Sequence, residues 1–347
     1  MISILLSVAV AAEPITTLYP LHGPDLGYEF VSVHDGSAVL WKDGRAYAVD
    51  LATKAMNEPG PVAKDDWVRF GQLVGPGPWW DRDFQPKVQP IPGTTDFAAR
   101  KGEALVLIDS NGTEGTQIVE GWNLDQKERI GPDGKKVAWV RYLGASGRYS
   151  VISAPLVDSN YTNMHVADGP GYPMAGPLWS HDAISLYLTS IESKTACLIR
   201  ADAEPAMEIW QLQCVGGMQG ASLVMAPSGN TAAFVLHKTP SHAEVMWIDL
   251  PGGIVKGQVK VLMQGTRTND LLLDDDGLLL ARGAKGKGLV VVDLASGNAV
   301  TADASATFEG LAVTSWTAPG QTVLVRRTDS QAAVVGIDAR AVLAGGK

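Results

Sequence analysis

The stretch Gly131-Pro132-Asp133-Gly134-Lys135-Lys136-Val137-Ala138-Trp139-Val140-Arg141 decides how the chain is read. It sets a Pro-Asp-Gly turn directly before a run carrying β-branched and aromatic side chains. Related segments follow it. Trp179-Ser180-His181-Asp182-Ala183 precedes an apolar run at 186–189, and Met225-Ala226-Pro227-Ser228-Gly229 precedes one at 232–236. Leu273-Asp274-Asp275-Asp276-Gly277 and Trp316-Thr317-Ala318-Pro319-Gly320 lead into runs at 278–282 and 323–327. With Ile130 as the first, the apolar or Trp anchors of these segments are 49, 46, 48 and 43 residues apart. A near-constant period of this length marks a repeated supersecondary unit.

Working toward the N-terminus, an earlier copy runs from Phe30 to Val33 into His34-Asp35-Gly36, and Gly36 lies 98 residues before Gly134. That is two periods. The intervening unit shows its later strands at 97–100, 104–109 and 116–119, its first strand is expected at 67–70, and an insertion at 74–95 replaces its first turn. Each unit also has an alternating apolar strand that ends in Asp, as in Tyr47-Ala48-Val49-Asp50 and Leu289-Val290-Val291-Val292-Asp293. An Asp there can accept N–H groups of the following turn, and Gly supplies the positive φ of a tight hairpin. Four short strands per unit, repeated radially, predict an all-β fold. It is a seven-bladed β-propeller of four-stranded antiparallel blades, with six blades as the alternative if the gap is not a blade. The blades start near residues 28, 67, 128, 176, 220, 269 and 311. Residues 15–18 supply the outer strand that the last blade lacks, and 339–343 can form a turn of helix.

The runs Gly131-Pro132-Asp133-Gly134-Lys135-Lys136-Val137-Ala138-Trp139 and Pro177-Leu178-Trp179-Ser180-His181-Asp182 resemble the WD40-like repeats of TolB-type propellers, with their Trp-Ser-Pro-Asp-Gly-Lys turn. Ala183 stands for the turn Gly and Ser228 for the Asp. The resemblance implies an exported, non-enzymatic propeller that binds other proteins, and it fixes neither partner nor site.

The formal charge of −9 and the pI near 5.2 oppose a nucleic-acid partner, which needs clustered Lys and Arg. Residues 1–12 hold an apolar run ending in small residues and read as a signal peptide, cut after Ala11 or Ala12, although no Lys or Arg precedes the run. Residues 13–347 then form a single propeller domain in the periplasm, at the cell surface or in the medium, expected to be a monomer with no transmembrane segment. Cys197 and Cys214 fall nearly opposite each other in one hairpin, placed either for a disulfide or as two buried thiols.

No motif for a catalytic centre, metal or cofactor emerges. Ser180-His181-Asp182 has the residue types of a hydrolase triad, but three neighbours in a turn point apart. Asp274-Asp275-Asp276 lacks the alternating spacing of a calcium loop. The histidines have no ligand spacing. The candidate partner site is therefore the insertion, where Trp79, Trp80, Asp81, Arg82, Asp83 and Phe84 combine aromatic anchors with alternating charge. The same Trp residues could instead cover blade two. The predicted partner is a protein or peptide. The alternative is a propeller hydrolase or lyase acting on sugars or lactones in the central channel, for which Arg69, Glu128, Arg129 and Asp270 are the polar groups expected on innermost strands.

Overall fold

The computed structural model describes residues 14–21, 28–34, 36–42, 45–57, 88–101, 104–109, 113–119, 129–156, 164–202, 209–250, 252–263, 271–311 and 314–345. Among these residues the strands form seven four-stranded antiparallel sheets, and six of them are four consecutive strands hydrogen-bonded in chain order. The seventh combines Thr307–Glu309, Gln321–Arg327 and Ala332–Asp338 with Ile15–Leu21 from the other end of the chain. Ile15 lies opposite Ile337 and Leu21 opposite Ala332. The outer strand expected near 15–18 is thus in place and ties the chain's two ends together.

Apolar packing carries the sheets around a closed ring. Ala98 and Leu105 of the second sheet pack with Val137 and Trp139 of the third, and Tyr149 and Val151 of the third pack with Leu186 and Leu188 of the fourth. Leu198 meets Phe234, Val245 meets Leu279, and Val291 meets Leu324 in the next three interfaces. Val325 and Val334 of the seventh sheet then pack on Leu40 of the first, in a cluster that continues to Phe97 and Ile108 of the second. Each buried Val, Leu or Phe in these interfaces contributes roughly 1.5–3 kcal/mol, so the ring is held between blades as well as within them.

Within each blade the first strand is innermost. Tyr172–Trp179 touches Arg129–Ile130 on one side and Gly220–Met225 on the other, and Gly220–Met225 touches Leu271–Leu273. The fourth strands form the outer wall, as the alternately exposed Ile254–Leu262 shows.

Two expected first strands are displaced. Blade two consists of Val88–Pro90, Phe97–Lys101, Ala104–Ile108 and Glu114–Val119, so its innermost strand is Val88–Pro90. The strand expected at 67–70 lies outside the described residues. The end of the insertion placed at 74–95 is therefore the strand and first turn of the blade itself. The Ile91 N–H donates to the Asp96 carbonyl (3.0 Å) and the Thr94 N–H to the Ile91 carbonyl (3.1 Å). Gly131 and Gly134 make the same pair of bonds in blade three, at 2.7 and 2.9 Å. The turn escapes a sequence search because Gly93 stands where blade three has Asp133 and Thr94 where it has Gly134, and the Thr94 Oγ1 caps the turn by accepting the Asp96 N–H. In blade seven the first strand is Thr307–Glu309 and not 313–316, of which the described residues 314–316 lie in the connection to Gln321–Arg327.

The alternation of strand direction gives the ring two faces. One carries the turns after the first and third strands of each blade. Third strands reach it ending in Asp50, Asp202, Asp249, Asp293 and Asp338, while Asp133, Asp182 and Asp274 sit in the first turns. Several of these carboxylates cap backbone, whereas Asp202 accepts from the Ser185 hydroxyl and from Arg200. Asp50 accepts the N–H groups of Ala52 and Thr53, Asp274 those of Asp276 and Leu278, and Asp338 that of Ala341. Neighbouring turns are also packed on one another. A Cβ on Gly134 would lie 2.2 Å from the Pro92 carbonyl oxygen, and one on Gly229 would lie 3.0 Å from His181 Cβ. The Ser228 N–H donates to Asp275 (3.1 Å), and Arg340 of the C-terminal helix, Ala339–Gly345, donates to Asp276 (2.6 Å). This is the Asp face. The opposite face carries the turns between second and third strands and the connections between blades.

Candidate partner-binding face

The sequence places the partner site at Trp79, Trp80, Asp81, Arg82, Asp83 and Phe84, and these residues lie outside the described part of the chain. Their point of attachment is described. Met56–Asn57 is the outer strand of blade one and Val88–Pro90 the inner strand of blade two, so the chain leaves and re-enters the ring on the face opposite the Asp face.

That same face bears an exposed aromatic and thioether group at the inner rim. Tyr172–Trp179 begins there, and its first residues alternate outward: Tyr172 is 50% and Met174 37% exposed, on the strand nearest the axis. The Tyr172 ring meets Tyr142 of blade three edge-on, with centroids 4.9 Å apart and planes at 71°. Met174 reaches across to blade five, its Cε 3.4 Å from where a Cβ on Gly220 would sit. Tyr172 and Met174 are two of seven large apolar side chains exposed among the described residues, and they lie on an innermost strand beside the Tyr142 ring. The sequence reading missed this group, because Tyr172-Pro173-Met174 falls between the repeat signatures. The signal available was an apolar, period-two start to a strand whose buried half begins at Ala175.

Next to it, His237 lies near the end of Thr231–Thr239, the second strand of blade five, 5% exposed. Its Nε2 lies 3.3 Å from the Ser222 hydroxyl and its Nδ1 has no hydrogen-bond partner among the described residues. Burial pushes its pKa down to about 4, so the ring is neutral near pH 7. Burial likewise pushes the Tyr149 phenol up to about 12.

The other residues singled out in the sequence have structural roles. Ser180 Oγ donates directly to Asp182 (2.5 Å), and Asp182 also accepts the Ile184 N–H (3.1 Å). The Ser180 hydroxyl holds that carboxyl below the usual range. His181 packs against the turn of blade five, so the three residues form a cap and not a relay. Asp274 is raised by burial while it caps its own turn. His242 Nδ1 lies 3.1 Å from the Thr239 hydroxyl. Among the described residues no three His, Cys, Asp or Glu side chains gather as metal ligands. Arg129 is buried at the blade three and four boundary, its carbonyl accepting the Trp179 indole N–H (2.9 Å), whereas Arg69, Glu128 and Asp270 lie outside the described residues. Cys197 and Cys214 are directly opposed in register and joined as a disulfide. No helix among the described residues is long and apolar enough to cross a membrane.

A scan of protein-family models finds no match, and no curated protein matches the sequence. Solved structures do match. One is an oligogalacturonate lyase in complex with manganese, at 11% identity over 93% of this chain and 90% of that one, with a TM-score of 0.55. Another is the Cps50 (Swd1) β-propeller domain of Myceliophteria thermophila, at 11% identity over 93% and 99% of the two chains, also with a TM-score of 0.55. The fold is a β-propeller. TolB from Acinetobacter baumannii is similar too, at 14% identity over 89% and 78% of the chains, but its TM-score of 0.41 adds no argument of its own. Propellers thus similar in shape include an enzyme and proteins of other kinds, so the site and not the fold must carry the functional argument.

Proposed function

We propose that this chain is an exported, non-enzymatic propeller that binds a protein or peptide partner on the face opposite the Asp face. Trp79, Trp80, Asp81, Arg82, Asp83 and Phe84 are the part of the contact read from sequence. The observation that supports the reading is the exposed Tyr172 and Met174 beside Tyr142, on the same face as the attachment of the segment carrying those residues. Aromatic and thioether side chains presented from a rigid strand supply binding energy at low entropic cost. The protein acts as a monomer in the periplasm, at the cell surface or in the medium, where an oxidising environment maintains the Cys197–Cys214 bond.

The test is affinity capture from an extract of the secreted and periplasmic fractions. Trp79→Ala combined with Trp80→Ala is expected to keep the melting temperature of the parent and to lose at least about 2 kcal/mol of partner affinity. Unchanged capture of every partner by that variant overturns the role of the Trp pair.

A further inference from the structure

We infer that the partner's docking segment is acidic, a run of Glu or Asp around an apolar side chain, which seats over Tyr172 and Met174 and is held by cations of the surrounding turns. The inference rests on the partner-binding reading above and names the chemistry of that partner.

The ground for it is a segregation of charge that follows from how the blades are capped. The aspartates of the first and third turns fall on one face, which carries most of the aspartates among the described residues. Among the described residues the opposite face carries exposed cations. Arg141 and Arg148 flank the turn of blade three, Lys194 lies in that of blade four, and Lys285 and Lys287 lie in that of blade six. All are exposed, and none has an acidic partner among the described residues. Elsewhere on this face cations are already matched: Lys238 with Glu244 (3.1 Å), Arg326 with Asp303 (2.5 Å) and Arg327 with Glu309 (2.9 Å). Glu192 and Asp329 are exposed there too, as is Asp168, which the Ser150 hydroxyl engages at 2.5 Å. The unmatched cations outnumber them.

Their placement joins the charge to the apolar group. Arg141 immediately precedes Tyr142, the ring in contact with Tyr172, and Arg148 pairs across the turn with Leu143. Lys194 follows the strand whose Ile191 lies opposite Tyr172. Exposed cations of blades three and four thus lie in the turns next to Tyr172 and Met174, together with Glu192 and Asp168. Acidic peptide fits this better than an anionic membrane. A membrane needs apolar side chains at the turn tips, and the tips here carry Ala145, Ser146, Ser193 and Ser241, while Tyr172 and Met174 belong to an inner-rim strand. The net charge of −9 opposes nucleic acid as before.

The experiment titrates a labelled oligo-glutamate peptide with one central Phe into the full chain. The same peptide with Lys for Glu and vesicles of phosphatidylglycerol are run in parallel. Saturable binding of the acidic peptide alone is expected, weakening at least about tenfold between about 50 mM and about 300 mM salt. Arg141→Glu, Arg148→Glu and Lys194→Glu together should weaken it by a further factor of about ten while the melting curve is unchanged, and Tyr172→Ala should weaken it at both salt concentrations. No saturable binding, equal binding of the basic peptide, binding to vesicles only, or a charge-reversed variant that binds like the parent each overturns the inference. If captured partners are retained by the charge-reversed variant and insensitive to salt, the acidic-segment inference fails while the binding-module reading stands.

Discussion

The two faces of the ring are made by the same strands and finished by different chemistry. On the Asp face the turns are tight, their N–H groups are capped by a carboxylate as at Asp274 or by a hydroxyl as at Thr94 and Ser228, and turns such as those of Gly134 and Gly229 abut the neighbouring blade. On the opposite face Arg141, Arg148, Lys194, Lys285 and Lys287 are exposed without an ion-pair partner among the described residues, and an inner strand presents Tyr172 and Met174. Groups whose polar and apolar valences are already satisfied by the fold have little left to offer a ligand. Groups left unsatisfied on a rigid frame are where recognition can be built. Substitutions on the Asp face should therefore cost stability and substitutions on the other face should cost binding.

The sharpest way to break this contrast uses two glycines of blade three with nearly the same backbone. Gly134, on the Asp face, has φ +67 and its missing Cβ would lie 2.2 Å from the Pro92 carbonyl oxygen. Gly147, on the opposite face, has φ +64 and nothing within 4 Å. Gly134→Ala must move the neighbouring blade's turn and is expected to cost about 3 kcal/mol or more, whereas Gly147→Ala pays only the left-handed backbone term of about 1 kcal/mol. Urea unfolding midpoints measure both. Equal losses would show that the two faces are packed alike.

His237 tests the same contrast through pH, because it is the buried titratable group beneath the binding face. Its folded pKa, about 4, lies below the ordinary value of 6.5, so the unfolded chain binds more protons between those values. The stability it contributes is fully present above about pH 6.5 and is lost as pH falls toward 4, a change of about 2–3 kcal/mol. His237→Gln should flatten the rise in melting temperature over that window relative to the parent. A parallel profile in the two proteins would mean that this imidazole is solvated in the folded state.

The fold was legible in the sequence because its turns need particular residues. Positive φ demands glycine and orphan N–H groups demand a carboxylate, so Gly131-Pro132-Asp133-Gly134 and its copies announce blades directly, and the apolar strand 15–18 completes the last one. It failed where another residue could meet the same demand. Thr94 caps the first turn of blade two with a hydroxyl, so the strand before it was assigned to 67–70 instead of Val88–Pro90. The candidate site was not legible, for a related reason. Tyr172, Met174, Arg141 and Lys194 satisfy no local backbone requirement, and only the closing of the ring brings them to one face.

The smallest expected difference is the most diagnostic of that division of labour. Asp293 on the Asp face accepts the N–H groups of Ala295 (3.0 Å) and Ser296 (3.2 Å) and the Ser296 hydroxyl (2.6 Å). Burial pushes its carboxyl up, but the Ser296 hydroxyl and those N–H groups outweigh it and hold the pKa below the usual range. Asp293→Ala leaves these donors to water and is expected to cost about 1 kcal/mol. Lys285, in the turn at the other end of the same blade, has no hydrogen-bond or ion-pair partner among the described residues, and Lys285→Ala is expected to change stability by less than about 0.5 kcal/mol. Matched chemical denaturation of the two variants decides it. A loss at Lys285 equal to that at Asp293 would mean that the cations, too, are used to hold the fold, and the face they lie on would no longer be free to recognise anything.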